Sequence, residues 1–132
     1  MLQKNKVKLL IFLVLTALSA SQLIPSVSQA QEKYITPGDA VNHVGEIQTV
    51  CGEVGKIKIE NLQPILINLY QQLNTRNFTI VIYPSDKKKF TNPPIYSYLG
   101  KEICVKGLIK TYLNEPEIIL TDPSQITIES SQ

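Results

Sequence analysis

Histidine is nearly absent from this 132-residue chain, and its scarcity limits the chemistry that the protein can perform. His43 is the single histidine, and there are only two cysteines. A lone histidine is more often a surface or packing residue than a catalyst, and a zinc site needs more histidine or cysteine ligands than the chain can supply. The sequence also has no G-x-S-x-G nucleophile elbow and no glycine-rich phosphate loop. These absences predict a protein that is not an enzyme and holds no metal or other cofactor.

The N-terminal segment resembles an export signal. Lys4, Lys6 and Lys8 precede an apolar run at residues 9–18, and Ser28-Gln29-Ala30 places small residues where signal peptidase cleaves. We therefore expect a signal peptide at residues 1–30 and export to the periplasm or the extracellular space. An uncleaved membrane anchor is the alternative, although the run is shorter than the about 20 apolar residues that a span needs.

A large positive charge is missing once this segment is removed. Three of the 13 basic residues precede Gln31 and all 11 acidic residues follow it, so residues 31–132 carry 10 positive and 11 negative charges, a net charge of −1. Strong nonspecific nucleic-acid binding depends on released counterions and usually on a basic domain. We expect residues 31–132 to form one domain, monomeric and without a membrane span.

Two segments share a strand pattern in which one glycine follows another by seven positions. In the segment at 100–128, Ile103, Val105 and Ile109 alternate with polar Lys106 and Lys110, which predicts a strand with one buried face. A second strand follows the Asn114-Glu115-Pro116 break, and we expect Ile126 and Ile128 to extend this last strand. The segment at 45–54 repeats the pattern more faintly.

Each of these segments contains one of the two cysteines. Cys51 stands one residue before Gly52 and Cys104 three before Gly107, so both point away from the buried face. If the strands are neighbours the sulfur atoms can meet, and two cysteines in an exported domain favour a disulfide. Closing so long a loop stabilises by about 4 kcal/mol in the chain-entropy model. Two free thiols are the alternative.

The order of predicted elements describes one fold. Thr36 caps a short helix that Gly45 ends, and strand one spans residues 46–59 with glycines that suggest a bend. Strand two spans 64–70, a polar loop 71–77, strand three 78–83 and a connector with a helical turn 84–100, before strands four and five. We expect Tyr96, Tyr98 and Leu99 to pack the connector onto the barrel. This order predicts an all-β, five-stranded Greek-key OB-fold barrel, in which strand one neighbours strand four.

Four motifs also resemble a known family. The segments HVGEIQTVCGEV, FTIVIYPSDKKKF, LGKEICVKGLI and EPEIILTDPSQI are similar to small bacterial OB-fold domains, found in secreted or periplasmic proteins and beside nuclease domains. The resemblance covers nearly all of residues 36–128 and implies the fold. It implies little about function, because most matching positions are core and turn residues.

The fold places a candidate ligand site on the face of strands two and three. OB-folds bind oligonucleotides or oligosaccharides there, and bases stack on aromatic rings with about 1–3 kcal/mol each. The rings, amides and cations expected near this face are Asn68, Tyr70, Arg76, Tyr83, Lys110 and Tyr112. Tyrosines at strand ends also commonly cover a barrel rim without binding anything.

A second candidate is the basic patch Lys87-Lys88-Lys89, which could touch phosphates or simply keep the connector soluble. Together these features predict a non-enzymatic binding module for single-stranded nucleic acid or an oligosaccharide. The alternative is a cell-envelope protein–protein adaptor without nucleic-acid binding.

Overall fold

The computed structural model describes residues 22–26, 33–71 and 74–130, and the side chains of residues 78–130 within the last range. The chain divides into two compact units, Met1–Gln31 and Glu32–Gln132. In the first unit, residues 22–26 have no regular secondary structure. The predicted signal peptide otherwise lies outside the described residues. The second unit contains all the helices and strands given below.

The second unit is built from six strands and four short 3-10 helices. The strands are β1 (Ile47–Lys58), β2 (Ile65–Gln71), β3 (Asn74–Ile82), β4 (Glu102–Tyr112), β5 (Glu115–Ile119) and β6 (Ile126–Ile128). The 3-10 helices are Pro37–His43, Lys87–Lys89, Ile95–Tyr98 and Pro123–Gln125. Thr36 caps the first of them by accepting a hydrogen bond from the Asp39 backbone N–H, as predicted.

The sequence of strand pairings begins and ends at β1. The sheet order is β1-β2-β3-β5-β4-β6, and β1 also pairs with β4. All pairs are antiparallel except β3 with β5, which is parallel. This arrangement of five main strands, with the helical connector between β3 and β4, is OB-like.

β1 pairs with both β4 and β2 because it bends near its middle. Its residues up to Glu53 pair with β4, and those from Glu53 onward pair with β2. The register shifts between Val54 and Lys56, which leaves Gly55 as the extra residue of a bulge. The aromatic ring of Tyr70 lies over Gly55, where any Cβ atom would overlap it. The predicted bend is therefore confirmed, and an aromatic ring covers the bend glycine.

The core lies inside the ring of strands and consists of the inward-facing residues. Val50 and Val54 of β1, together with Ile103 and Ile109 of β4, are fully buried. The remaining fully buried large side chains are Ile67, Leu69, Phe78, Ile80, Ile82, Val105, Ile118 and Leu120. β4 therefore has the alternation that the sequence predicts, with Lys106 and Lys110 exposed on its outer face.

The two cysteines form the predicted disulfide. Cys51 and Cys104 are directly paired across β1 and β4, with their Cα atoms 4.1 Å apart. The Cys51 backbone N–H donates to Ile35 O on the other side of β1, so the cysteine pair occupies a non-hydrogen-bonded position, where side chains approach most closely. Both cysteines lie on the outer face, opposite Val50 and Val54.

Several boundary predictions were wrong. The segment predicted as a polar loop at 71–77 is mostly strand, because β2 extends to Gln71 and pairs with Asn74 at the start of β3. Residues 74–77 are all polar in the sequence, so no apolar alternation marks this extension. Ile126 and Ile128 do not lengthen β5 but form β6, which pairs with β4. The connector is packed by Tyr98 with Phe90 and Ile95, whereas Tyr96 and Leu99 are exposed.

Candidate ligand-binding groove

The outer face of β2, β3 and β5 has an apolar centre. Leu66 and Val81 lie directly opposite each other, and Val81 is only 6% exposed although it points away from the core. In the neighbouring row, Asn68 Nδ2 donates to Thr79 Oγ1 at 3.2 Å. Leu66 and Val81 form an apolar floor on the face where the sequence predicts a ligand, and the Asn68–Thr79 hydrogen bond lies beside it.

A groove of about 340 Å³ lies over this floor. Such a volume is in the range of small-ligand sites. The groove runs between the loop that joins β1 to β2 and the end of the β4–β5 hairpin. Its walls are formed by Lys58, Glu60, Gln63, Pro64, Leu66, Val81, Tyr83, Tyr112 and Glu117. The two loops that border it are those which flank the binding face of OB-folds.

Two tyrosines supply the aromatic surface of the groove. Tyr83 follows the last residue of β3 and is 43% exposed, and Tyr112 ends β4 and is 65% exposed. A tyrosine ring offers a large apolar face with a polar hydroxyl at its edge. Both were predicted site residues, and the structure brings them into one groove.

The tips of both bordering loops hold leucines in unusual backbone conformations. Leu62 has φ of 62° and Leu113 has φ of 49°, and their side chains are 89% and 79% exposed. A left-handed conformation costs an L-residue other than glycine about 1–2 kcal/mol. Leu113 and Asn114 together make the two-residue turn with both φ values positive that favours hairpins. Both leucine side chains therefore lie at the surface beside the groove borders, outside its lining.

Glu117 places a carboxylate at the groove wall. It is half-buried on β5, between Thr79 of β3 and Lys110 of β4. Burial raises the pKa of the Glu117 carboxyl above its usual value, and the Lys110 ammonium partly opposes that shift. A carboxylate that has lost part of its water is a strong acceptor for hydrogen-bond donors of a ligand.

The remaining charges of the groove largely cancel. Lys58 Nζ lies 3.2 Å from Glu60 Oε1 in an exposed ion pair. The Glu60 backbone carbonyl in turn accepts a hydrogen bond of 2.8 Å from Lys87 Nζ. This contact ties the β1–β2 loop to the connector, so Lys87 helps to position one border of the groove.

The other predicted site residues have different surroundings. Tyr70 is half-buried and lies over Gly55, outside the groove lining. Lys110 lies opposite Glu117 in the register of β4 and β5, beside the groove. The side chain of Arg76 lies outside the described part of the structure. Lys89 Nζ bonds Asp86 Oδ1 at 2.8 Å and the Thr121 carbonyl at 3.1 Å.

Sequence reasoning missed much of the groove wall. Lys58, Glu60, Gln63 and Pro64 sit at and beyond the end of β1, and Glu117 resembles any polar residue of an alternating strand. The spacing from Lys110 to the turn could have identified Glu117, because a two-residue hairpin opposes these positions.

His43 has a local structural role. Its Nδ1 lies 2.7 Å from Glu46 Oε2, and this hydrogen bond is the main cause that lowers the pKa of the exposed Glu46 carboxyl. Among the described residues, the one group with metal-ligand geometry is Cys51, Cys104 and Glu129, and its two cysteines are joined in the disulfide. No described helix has the length and apolar character needed to cross a bilayer.

Comparison with known proteins identifies the fold alone. No protein-family model and no curated protein matches the sequence. Among solved structures, a chain of the S. pombe Stn1–Ten1 complex is similar with a TM-score of 0.57 and 14% identity, over 77% of this chain and 81% of that one. The OBody AM1L10 bound to hen egg-white lysozyme gives 0.56 and 15%, over 76% and 97%. Aspartyl tRNA synthetase from Entamoeba histolytica gives 0.53 and 12%, over 76% of this chain and 22% of that one.

Proposed function

We propose that this protein is a non-enzymatic OB-fold binding module that holds a chain-like ligand, a single-stranded nucleic acid or an oligosaccharide, in the groove over β2 and β3. The observation that carries the proposal is the convergence of Tyr83 and Tyr112 on an apolar floor of Leu66 and Val81. Ring faces above an apolar floor suit ligands with flat apolar surfaces, such as bases or sugar rings.

The test is a titration of the full chain with oligothymidine and with neutral oligosaccharides, followed by NMR of the groove amides. Tyr112→Ala should weaken binding by about tenfold, since one stacked ring contributes about 1–3 kcal/mol. Tyr96→Ala is the matched control, because Tyr96 is 62% exposed but does not line the groove. Equal affinities of the two variants would refute the groove as the site.

A protein partner is the second candidate. It is favoured by the exposed leucines Leu62 and Leu113 at the loop tips, because residues held in sparsely populated backbone conformations cluster at binding and switch sites. Two structural neighbours are described as part of a complex and as bound to lysozyme. Leu62→Ser with Leu113→Ser should abolish recovery of a specific, nuclease-resistant partner, while binding of a groove ligand persists.

Export is part of the same proposal. We propose that the chain belongs to the secreted or periplasmic OB-fold family that its motifs resemble and acts there as a monomer. Support comes from the disulfide, which forms in oxidising compartments. Intact-mass analysis of the protein from a periplasmic or medium fraction should place Gln31 at its N-terminus. An unprocessed Met1 in those fractions would contradict this.

A further inference from the structure

We infer that the groove binds an uncharged oligosaccharide rather than a phosphodiester chain, an inference that rests on the proposed function. The tyrosines and the apolar floor do not distinguish the two ligands, because bases and sugar rings both present flat apolar faces. The polar groups of the groove do distinguish a phosphodiester backbone from sugar hydroxyls, through their charge and through the direction of the hydrogen bonds that they can make.

The first argument is charge. The groove is lined by one cation, Lys58, and two carboxylates, Glu60 and Glu117. Lys58 is already paired with Glu60, and Lys110 lies opposite Glu117 in the strand register. Single-stranded nucleic acids bind in grooves with a surplus of positive charge that follows the backbone. This groove has no such surplus among its lining residues.

The second argument is which groups donate and which accept the hydrogen bonds. A carboxylate accepts hydrogen bonds and cannot donate them, and a phosphodiester is likewise an acceptor. A phosphate beside Glu117 would therefore place two acceptors and two negative charges against each other. Sugar hydroxyls donate as well as accept, and two neighbouring hydroxyls can both donate to one carboxylate.

The third argument is the position of Glu117 relative to the rings. Glu117 lines the same groove as Tyr83 and Tyr112, and it is half-buried. A sugar ring packed on a tyrosine turns its C–H face to the ring and its hydroxyls sideways, toward such a carboxylate. Gln63 in the β1–β2 loop adds an amide that can both donate and accept.

The experiment is an NMR titration of the full chain with cellohexaose, maltohexaose and N-acetylated chitohexaose, and separately with oligothymidine, at low and at high salt. We expect at least one hexasaccharide to shift the amides around Tyr83, Tyr112 and Glu117, with an affinity that salt does not change. No groove shift with any hexasaccharide would overturn the inference.

Glu117→Gln gives a second readout with opposite signs for the two ligand classes. It removes a charged acceptor, so hexasaccharide binding should weaken by about tenfold. Oligothymidine binding should instead strengthen, because a repelling charge is lost. Glu129→Gln, the same change at an exposed residue outside the groove, is the matched control.

The outcomes separate this inference from the proposed function. Oligothymidine binding in the groove that weakens steeply with salt, without hexasaccharide binding, overturns the oligosaccharide class and leaves the binding groove standing. Absence of groove shifts with both classes overturns both. Hexasaccharide binding that Glu117→Gln leaves unchanged also overturns the inference, because it would not involve the carboxylate.

Discussion

The packing of the Tyr70 ring over Gly55 gives a quantitative prediction about the bend of β1. Gly55→Ala would place a methyl group in the volume that the ring occupies. Because a tyrosine side chain can rotate away, the cost is limited to the packing that the ring loses. A fully buried large side chain contributes about 1.5–3 kcal/mol, so the half-buried Tyr70 should contribute about 1 kcal/mol, and Gly55→Ala should cost about that much.

A double-mutant cycle makes the prediction specific to this contact. Tyr70→Ala alone should also cost about 1 kcal/mol, and adding Gly55→Ala to it should cost nothing, because the ring is no longer there. Equilibrium urea unfolding at neutral pH measures all four proteins, and about 1 kcal/mol corresponds to a Tm shift of roughly 4–8 °C. If Gly55→Ala costs the same in the wild-type background and in the Tyr70→Ala background, the reasoning is refuted, since independent sites add.

Three further predictions concern stability. Replacing Cys51 and Cys104 together by alanine should lower the free energy of unfolding by about 4 kcal/mol in denaturant, and a loss under about 1 kcal/mol would contradict a constraint across their 53-residue separation. Burial raises the pKa of the Glu102 carboxyl, with the facing Glu53 adding to the shift, so the protein loses stability as the pH rises through that pKa. Glu102→Gln should therefore stabilise the protein at pH 7 by about 0.5 kcal/mol after solvent screening. Thermal melts at a pH below the pKa of the Glu102 carboxyl in both the folded and the unfolded state should show no gain. Leu113→Asn should stabilise by about 0.5–1 kcal/mol, because asparagine tolerates positive φ better than leucine; an unchanged midpoint of urea unfolding would show that the turn is not strained.

Much of the fold could be predicted from the sequence, because regular alternation encodes which face of a strand is buried. Ile103, Val105 and Ile109 show this directly, and the outward parity of Cys51 and Cys104 identified the neighbouring strands. Alternation gives no signal at residues 74–77, which are all polar in the sequence, although β3 begins at Asn74. The short β6 was misassigned because the alternation of Ile126 and Ile128 does not show which strand they pair with.

The candidate site was less accessible to sequence reasoning. Tyr83 and Tyr112 could be proposed because aromatic residues at strand ends are visible in the sequence. Hairpin spacing could place Glu117 opposite Lys110, but its partial burial beside the groove depends on the tertiary structure and is not visible in the sequence. The positive φ angles of Leu62 and Leu113 are also invisible, because leucine normally avoids that conformation.

The two-sided pairing of β1 has a consequence for how the chain reaches its native state. The second half of β1 can form a hairpin with β2, which follows it directly in the chain. The first half of β1 pairs with β4, where Cys104 lies 53 residues beyond Cys51. Such distant pairing is slow, because loop-closure entropy is lost before the contacts form. During that interval the edge of β1 is open to intermolecular pairing. Oxidation of the two thiols then holds β1 against β4 covalently, so an oxidant added before these strands have paired should trap intermolecular disulfides instead of native monomer.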